Sequence, residues 1–342
     1  MFAGWPTSLG ATLLALSMTA HAETPPEAEI SNGTLVVKFY LPNAKTGFYR
    51  GTRFDWSGVI YSLQYQGHNY YGPWFTKTAP QVHDFIYDGP DIVAGPCSAI
   101  TGPVDEFSTG EKALGYDQAP AGGTFLKIGV GVLRKPDKSE YDKYVLYDIV
   151  DPGKWTVRQN PDEIEFSQEV SDPLSGYGYL YTKTVTLVPG KPEMLIRHEL
   201  KNIGKRLIES NVYDHNFLVL DHQPTGPDFQ IKLPFDFKTK EQLDPKFAEK
   251  QGQAFAYRKL LQGHDTVAAT FLGYGATPAD YNIVIENRKV GMGMKVSGDR
   301  PLASLSLWSI RSVLAMEPYI DMSIAPGQEF AWTYTYTYYA VR

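Results

Sequence analysis

Apolar and polar residues alternate along most of this chain with a period of two, the repeat of a strand whose successive side chains point to opposite faces. The strictest run is the last, Trp332-Thr-Tyr-Thr-Tyr-Thr-Tyr338. Residues 35–41 form another, closed by Pro42-Asn43, and residues 59–65 lead into the turn Gln66-Gly-His-Asn69. Residues 179–188 and 194–200 flank Pro189-Gly-Lys-Pro192 as an antiparallel pair. Further strands are predicted over 125–133, 144–150, 155–158, 164–170, 267–274, 282–286, 290–296, 302–310, 313–317 and 330–340. Only residues 238–251 have helical character, limited to a turn or two by Pro245. Residues 74–123, with repeated Gly and Pro, read as a long ordered loop region. No repeat and no low-complexity linker divides the chain, so the pattern predicts an all-β fold, one large antiparallel β-sandwich over residues 23–342.

Composition adds an address and removes some partners. An apolar run at residues 9–20 ends in Ala20-His21-Ala22, which reads as a secretory signal peptide over residues 1–22, too short to span a bilayer. The expectation is a periplasmic or secreted protein with no integral membrane segment. The single cysteine, Cys97, excludes an intrachain disulfide, so the core must supply stability. A net charge of −6 without a basic cluster excludes nucleic acid as a partner. The 23 Tyr and 6 Trp suit strands and sugar stacking alike.

Candidate chemistry centres on Asn211-Val-Tyr-Asp-His-Asn-Phe-Leu-Val-Leu-Asp221. Alternation puts Tyr213, His215, Phe217 and Val219 on one face and Asp214, Asn216, Leu218 and Leu220 on the other, fixing an ionisable ring beside aromatic surface. The segment from Gly47 to Gly58 is dense in aromatic and charged residues; Arg53, Asp55 and Trp56 are the types that hold a polar ring by bidentate hydrogen bonds and stacking. His198 shares a strand face with Met194, Ile196 and Leu200. The neighbouring pairs Asp214-His215 and Asp221-His222 invite a metal reading, but no third ligand accompanies them.

Three separated segments resemble the galactose mutarotase-like family of aldose 1-epimerases and hexose-6-phosphate epimerases. Ser57-Gly-Val-Ile-Tyr-Ser-Leu-Gln-Tyr-Gln-Gly67 is similar to its opening hairpin. Residues 195–204, with the turn Asn202-Ile-Gly204, lead into Asp214-His215-Asn216-Phe217 as the family's Asn-containing strand leads to a His followed by an aromatic residue. Leu305-Ser-Leu-Trp308, Glu317-Pro318 and Ile324-Ala-Pro-Gly-Gln328 resemble its Trp strand, Glu-Pro pair and closing turn. The resemblance implies a β-supersandwich with an open cleft, in which His215 is the general acid towards a sugar ring oxygen and Glu317 the base towards the anomeric hydroxyl, with no cofactor. Where the family carries an arginine-bearing motif this chain has Pro103-Val-Asp-Glu-Phe107, and Arg53 and Arg311 are candidates to replace that arginine.

The sequence therefore predicts an exported isomerase of the aldose 1-epimerase type with a carbohydrate partner. Its expected site is His215 and Glu317 with Arg53, Asp55, Trp56, His198, Trp308 and Arg311 on the substrate. Two other functions suit the same fold: a non-catalytic carbohydrate-binding protein, and a polysaccharide lyase or hydrolase using a pair among Asp55, Asp105, Glu106 and Glu317.

Overall fold

The computed structural model describes residue 1 and residues 24–341, so all but the first residue of the expected leader lies outside the described residues. Two large antiparallel sheets face each other. The back sheet has ten strands, with Tyr177–Leu187, Glu193–Asn202, Glu329–Ala340 and Met292–Gly298 adjacent in its middle. The front sheet has six, in the order Lys238–Thr239, Thr266–Leu272, Ser304–Ile310, Val313–Ile324, Ile208–Leu218, Gly102–Ser108. Three smaller sheets flank them. No helix among the described residues is long and apolar enough to cross a membrane.

The period-two pattern sets what lies between the sheets. Trp332, Tyr334, Tyr336 and Tyr338 are buried on one face of Glu329–Ala340, while the intervening threonines are half-buried on the other. Each large apolar side chain removed from water in this way contributes roughly 1.5–3 kcal/mol. The ring hydroxyls need partners there, and Tyr336 donates to the Asp214 carboxylate and lies 2.7 Å from Asn216 Oδ1. The back sheet thus braces the underside of the strand that carries His215.

Four expectations change. Residues 125–133 are two strands, Thr124–Lys127 and Gly131–Arg134, because the chain reverses at Gly129. Gly129 has φ +79°, and a Cβ there would lie 2.6 Å from Asp55 Oδ1, so only glycine fits both the backbone and the space. Gly129→Ala is expected to cost about 1–3 kcal/mol, read from the midpoint of urea unfolding; an unchanged midpoint would contradict this packing. Residues 238–251 form no helix. Lys238–Thr239 joins the front sheet, and Ala248–Gln251 pairs with Ala254–Tyr257 around Gly252, whose positive φ makes the hairpin cheaper than a helical turn. Residues 144–150 contribute a strand only from Asp148 onwards. Finally, within 74–123, Gly102–Ser108 is a buried strand at the edge of the front sheet, its two carboxylates neutralised by partners that the local sequence does not reveal.

Candidate functional site

The site begins at a fault in the front sheet. Ile208–Leu218 pairs with Val313–Ile324 through Tyr213–Tyr319 and again from Asn216–Met316, with the two positions between left unpaired. Pro318 falls in that interval, opposite Asp214, and has no N–H to give the ladder. Asn216 Nδ2 fills in, donating across 3.1 Å to the main-chain oxygens of Asp214 and Met316. The same register sets Glu317 opposite His215, and His215 Nε2 lies 3.3 Å from Glu317 Oε1.

This pair opens into a cavity of about 390 Å³. Arg53 and Trp308, both named from the sequence, line it together with residues that the sequence did not single out: Trp74, Phe85, Asp84, Ser98, Lys143, Tyr144, Ser306, Thr270 and Glu241. The aromatic wall is ordered by its own contacts. His215 stacks on Phe217 with ring centroids 3.7 Å apart, Trp74 lies parallel to Phe217 at 5.8 Å, and Trp308 meets Trp74 edge-on at 5.6 Å. Such an apolar wall with a few convergent polar groups is the usual form of a small-molecule site.

Electrostatics bring the two reactive groups towards each other. Burial pushes the His215 imidazolium well below its ordinary value, and the charges of Arg53 and Lys143 push it further. Burial raises the Glu317 carboxyl, against the pull of Arg53 and Lys143. The imidazolium is therefore a stronger acid, and the carboxylate a stronger base, than in water. His215 Nδ1 is buried with no hydrogen-bond partner among the described residues, so the contact that bears on the tautomer is the one between Nε2 and Glu317.

Arg53 is held from beneath. Its Nε donates to Glu106 Oε2 at 2.6 Å and its Nη2 to the Tyr213 hydroxyl at 3.0 Å, while Lys127 Nζ approaches Glu106 Oε1 at 3.2 Å. The residue before Glu106 on the strand Gly102–Ser108 points the other way. Asp105 Oδ2 accepts from Lys183 Nζ at 2.8 Å and lies 3.0 Å from His198 Nε2, and Lys183 also reaches Asp55 Oδ2 at 3.5 Å. The carboxylates Asp55, Asp105 and Glu106 are thus matched by Arg53, Lys127 and Lys183, all buried.

Several of the expected residues lie away from this cavity. Asp55 lies in the buried cluster and not on the cavity; it accepts from Ser57 and Tyr181 as well as Lys183. Trp56 is buried, donates to the Gly51 carbonyl at 2.8 Å and stacks on Trp155. His198 is fully buried on the back sheet, with its ring stacked 4.6 Å from that of Trp332. Arg311 pins loops instead, donating 2.6 Å bonds to the carbonyls of Gly263 and Pro90. Asp105 and Glu106 are likewise out of reach of the cavity, so neither is placed to act with Glu317. Asp221 is drawn to His68 at 2.6 Å, and no group of three or more His, Cys, Asp or Glu among the described residues is placed to hold a metal ion.

The cluster also ties stability to pH. Burial alone would raise the Asp105 and Glu106 carboxyls, but Lys183 and His198 beside the first, and Arg53 and Lys127 beside the second, hold both well below the carboxylate range. A depressed folded-state pKa gives stability that is present above the unfolded value, about 4, and lost as pH falls through the folded one. The urea midpoint should therefore drop steeply below about pH 4. Asp214 acts in the opposite sense: burial, then the Asp105 charge, push its carboxyl up to about 7. Its contribution is lost as pH rises from about 4 towards that value, and Asp214→Asn should flatten that part of the profile. A midpoint independent of pH across both windows would refute the assignment.

No protein-family model and no curated protein sequence matches the chain. Solved structures do. A galactose mutarotase-like protein from Lactobacillus casei is 11% identical with a TM-score of 0.53, over 92% of this chain and 100% of its own. A homologue of aldose epimerase from C. elegans is 13% identical, TM-score 0.52, over 93% and 100%. A galactose mutarotase-related enzyme from Lactobacillus acidophilus is 12% identical, TM-score 0.52, over 92% and 98%. At such identity the likeness is one of fold, and it extends over nearly the whole of each chain: this protein has the all-β, galactose mutarotase-like sandwich fold.

Proposed function

We propose that this chain is an exported isomerase of the aldose 1-epimerase type, which interconverts the anomers of a sugar with His215 and Glu317 as its acid–base pair. One observation carries the reading: an imidazole nitrogen and a carboxylate oxygen 3.3 Å apart, opening into an aromatic-walled cavity of about 390 Å³. The ring oxygen and the anomeric hydroxyl of a sugar are bonded to the same carbon, so two catalytic groups side by side can address both from one direction. In ring opening, His215 Nε2 gives its proton to the ring oxygen as the bond from that oxygen to C1 breaks. Glu317 takes the hydroxyl proton, and the oxygen left on C1 becomes a carbonyl. After rotation about C1–C2 the same steps run in reverse, with the Glu317 carboxyl as acid and neutral His215 as base. The stronger acid and stronger base created by burial lower the cost of both transfers.

Arg53 and Trp308 complete the site, one as a fixed donor and the other as a stacking face for the pyranose. Saturation-transfer NMR on the purified protein with a panel of aldoses tests the proposal. Anomer exchange faster than the buffer rate is expected for at least one sugar; no acceleration with any of them would remove it.

A further inference from the structure

The cavity does not end at the acid–base pair. Register carries it across the front sheet as a straight polar row: Glu317 is directly opposite Ser306, and Ser306 is directly opposite Thr270. At the far end Glu241 accepts from the Thr270 amide at 3.0 Å and lies 3.4 Å from its hydroxyl. His215, Glu317, Ser306, Thr270 and Glu241 all line the one cavity. From His215 to Thr270 there are three strand-to-strand steps, which at about 4.8 Å each make roughly 14 Å, before Glu241 is counted. A pyranose, a six-membered ring of roughly 1.5 Å bonds with its hydroxyls, covers only one to two of those steps.

The side chains along the row suit a second sugar. Beside it Trp308 is opposite Ala268, a pairing of a large flat ring with a small exposed residue that leaves a trough along the aromatic face. Ser306 is half-buried along the row, and Glu241, an exposed residue, supplies a carboxylate at the end, an acceptor for vicinal hydroxyls. Resting on the isomerase reading above, we propose that the trough over Ser306, Thr270 and Glu241 is a second sugar subsite, and that the substrate is the reducing end of a disaccharide or longer oligosaccharide. The reducing residue sits over His215 and Glu317. The next residue, joined through its own anomeric carbon to a non-anomeric hydroxyl of the reducing residue, lies along the row with a face towards Trp308.

Anomer exchange with glucose and galactose, set against maltose, cellobiose and lactose, gives the test. At least one disaccharide should show kcat/KM about tenfold above its monosaccharide, because binding energy remote from C1 raises kcat/KM. Glu241→Ala and Thr270→Val should each reduce that preference by about three- to tenfold, the effect of a lost hydrogen bond. Equal kcat/KM for all five sugars, or a preference that both variants leave intact, overturns the subsite. Calorimetry on Glu317→Gln keeps this test separate from the catalytic one. If no sugar exchanges faster than in buffer, the isomerase reading has failed, and disaccharide binding tighter than monosaccharide, weakened by Glu241→Ala, still supports the subsite. Binding that does not distinguish the two sugar lengths removes it.

Discussion

Glu317→Gln lowers the rate of anomer exchange by about 10²–10⁴-fold, the range expected when a positioned general base is lost. Glutamine keeps the shape and its packing beside Tyr319, whose hydroxyl lies 3.3 Å from the carboxylate, so folding should be retained and the loss should fall on kcat. His215→Ala produces a similar loss, and the double variant loses little more than either alone, because two groups that move one proton between them act as a unit. The pH profile adds a signature that a structural role would not give. The pair works while it holds one proton in total. At high pH the carboxyl has lost that proton and the imidazole is neutral, so no acid remains; at low pH both are protonated and no base remains. The rate should trace a bell displaced from that of a free histidine and glutamate, since burial and then Arg53 push His215 down while burial pushes the Glu317 carboxyl up. Wild-type exchange rates in both single variants would contradict the assignment, as would a profile set by an unperturbed histidine.

Lys183→Met should cost about 3–5 kcal/mol of stability, the penalty for leaving buried charge without its partner. Lys183 stands between Asp55 and Asp105 with almost no exposure, and without it both buried carboxylates lose the lysine charge they share, leaving Asp55 only its hydrogen bonds and Asp105 only His198. The cost does not measure the worth of the salt bridge, since ionising and burying the trio is itself expensive. The informative comparison is therefore a triple variant, Lys183→Met with Asp55→Asn and Asp105→Asn, which should recover most of the loss. Urea unfolding at pH 7 reads both. A Lys183→Met protein as stable as the wild type would show that the three groups are not charged together in the fold.

Much of the architecture was legible because it rests on local alternation. Residues 59–65 and the run ending at Tyr338 coincide closely with the strands Val59–Tyr65 and Glu329–Ala340. His215, Glu317, Arg53 and Trp308, which line one cavity, stand out in the sequence because each sits in a short motif on or beside a strand, where neighbouring residue types fix which way a side chain points. Lys143, Tyr144, Asp84 and Glu241 were missed for the complementary reason: they reach the cavity from loops, whose course depends on distant contacts such as that of His83 Nε2 with Asp142 at 2.6 Å. Asp55 and Trp56 lie away from the cavity because a stretch whose charges and aromatics suit a polar ring has those charges answered instead by Glu106 and Lys183 from other strands. One clue was present. Two carboxylates in the otherwise apolar Gly102-Pro-Val-Asp-Glu-Phe107 make sense only with buried cations near them.

The break at Pro318 has a bearing on how such a site can be tuned. No main-chain pairing joins the two strands to each other at the level of the acid–base pair, although each is paired on its outer side, so the spacing of imidazole and carboxylate depends on the Asn216 amide, which spans the gap on the side facing the back sheet. Asn216 is in turn gripped by Tyr336. The reach between the two reactive groups is thus adjusted by residues that no substrate touches, and changes in the core between the sheets can retune the chemistry while the sugar-facing surface stays as it is.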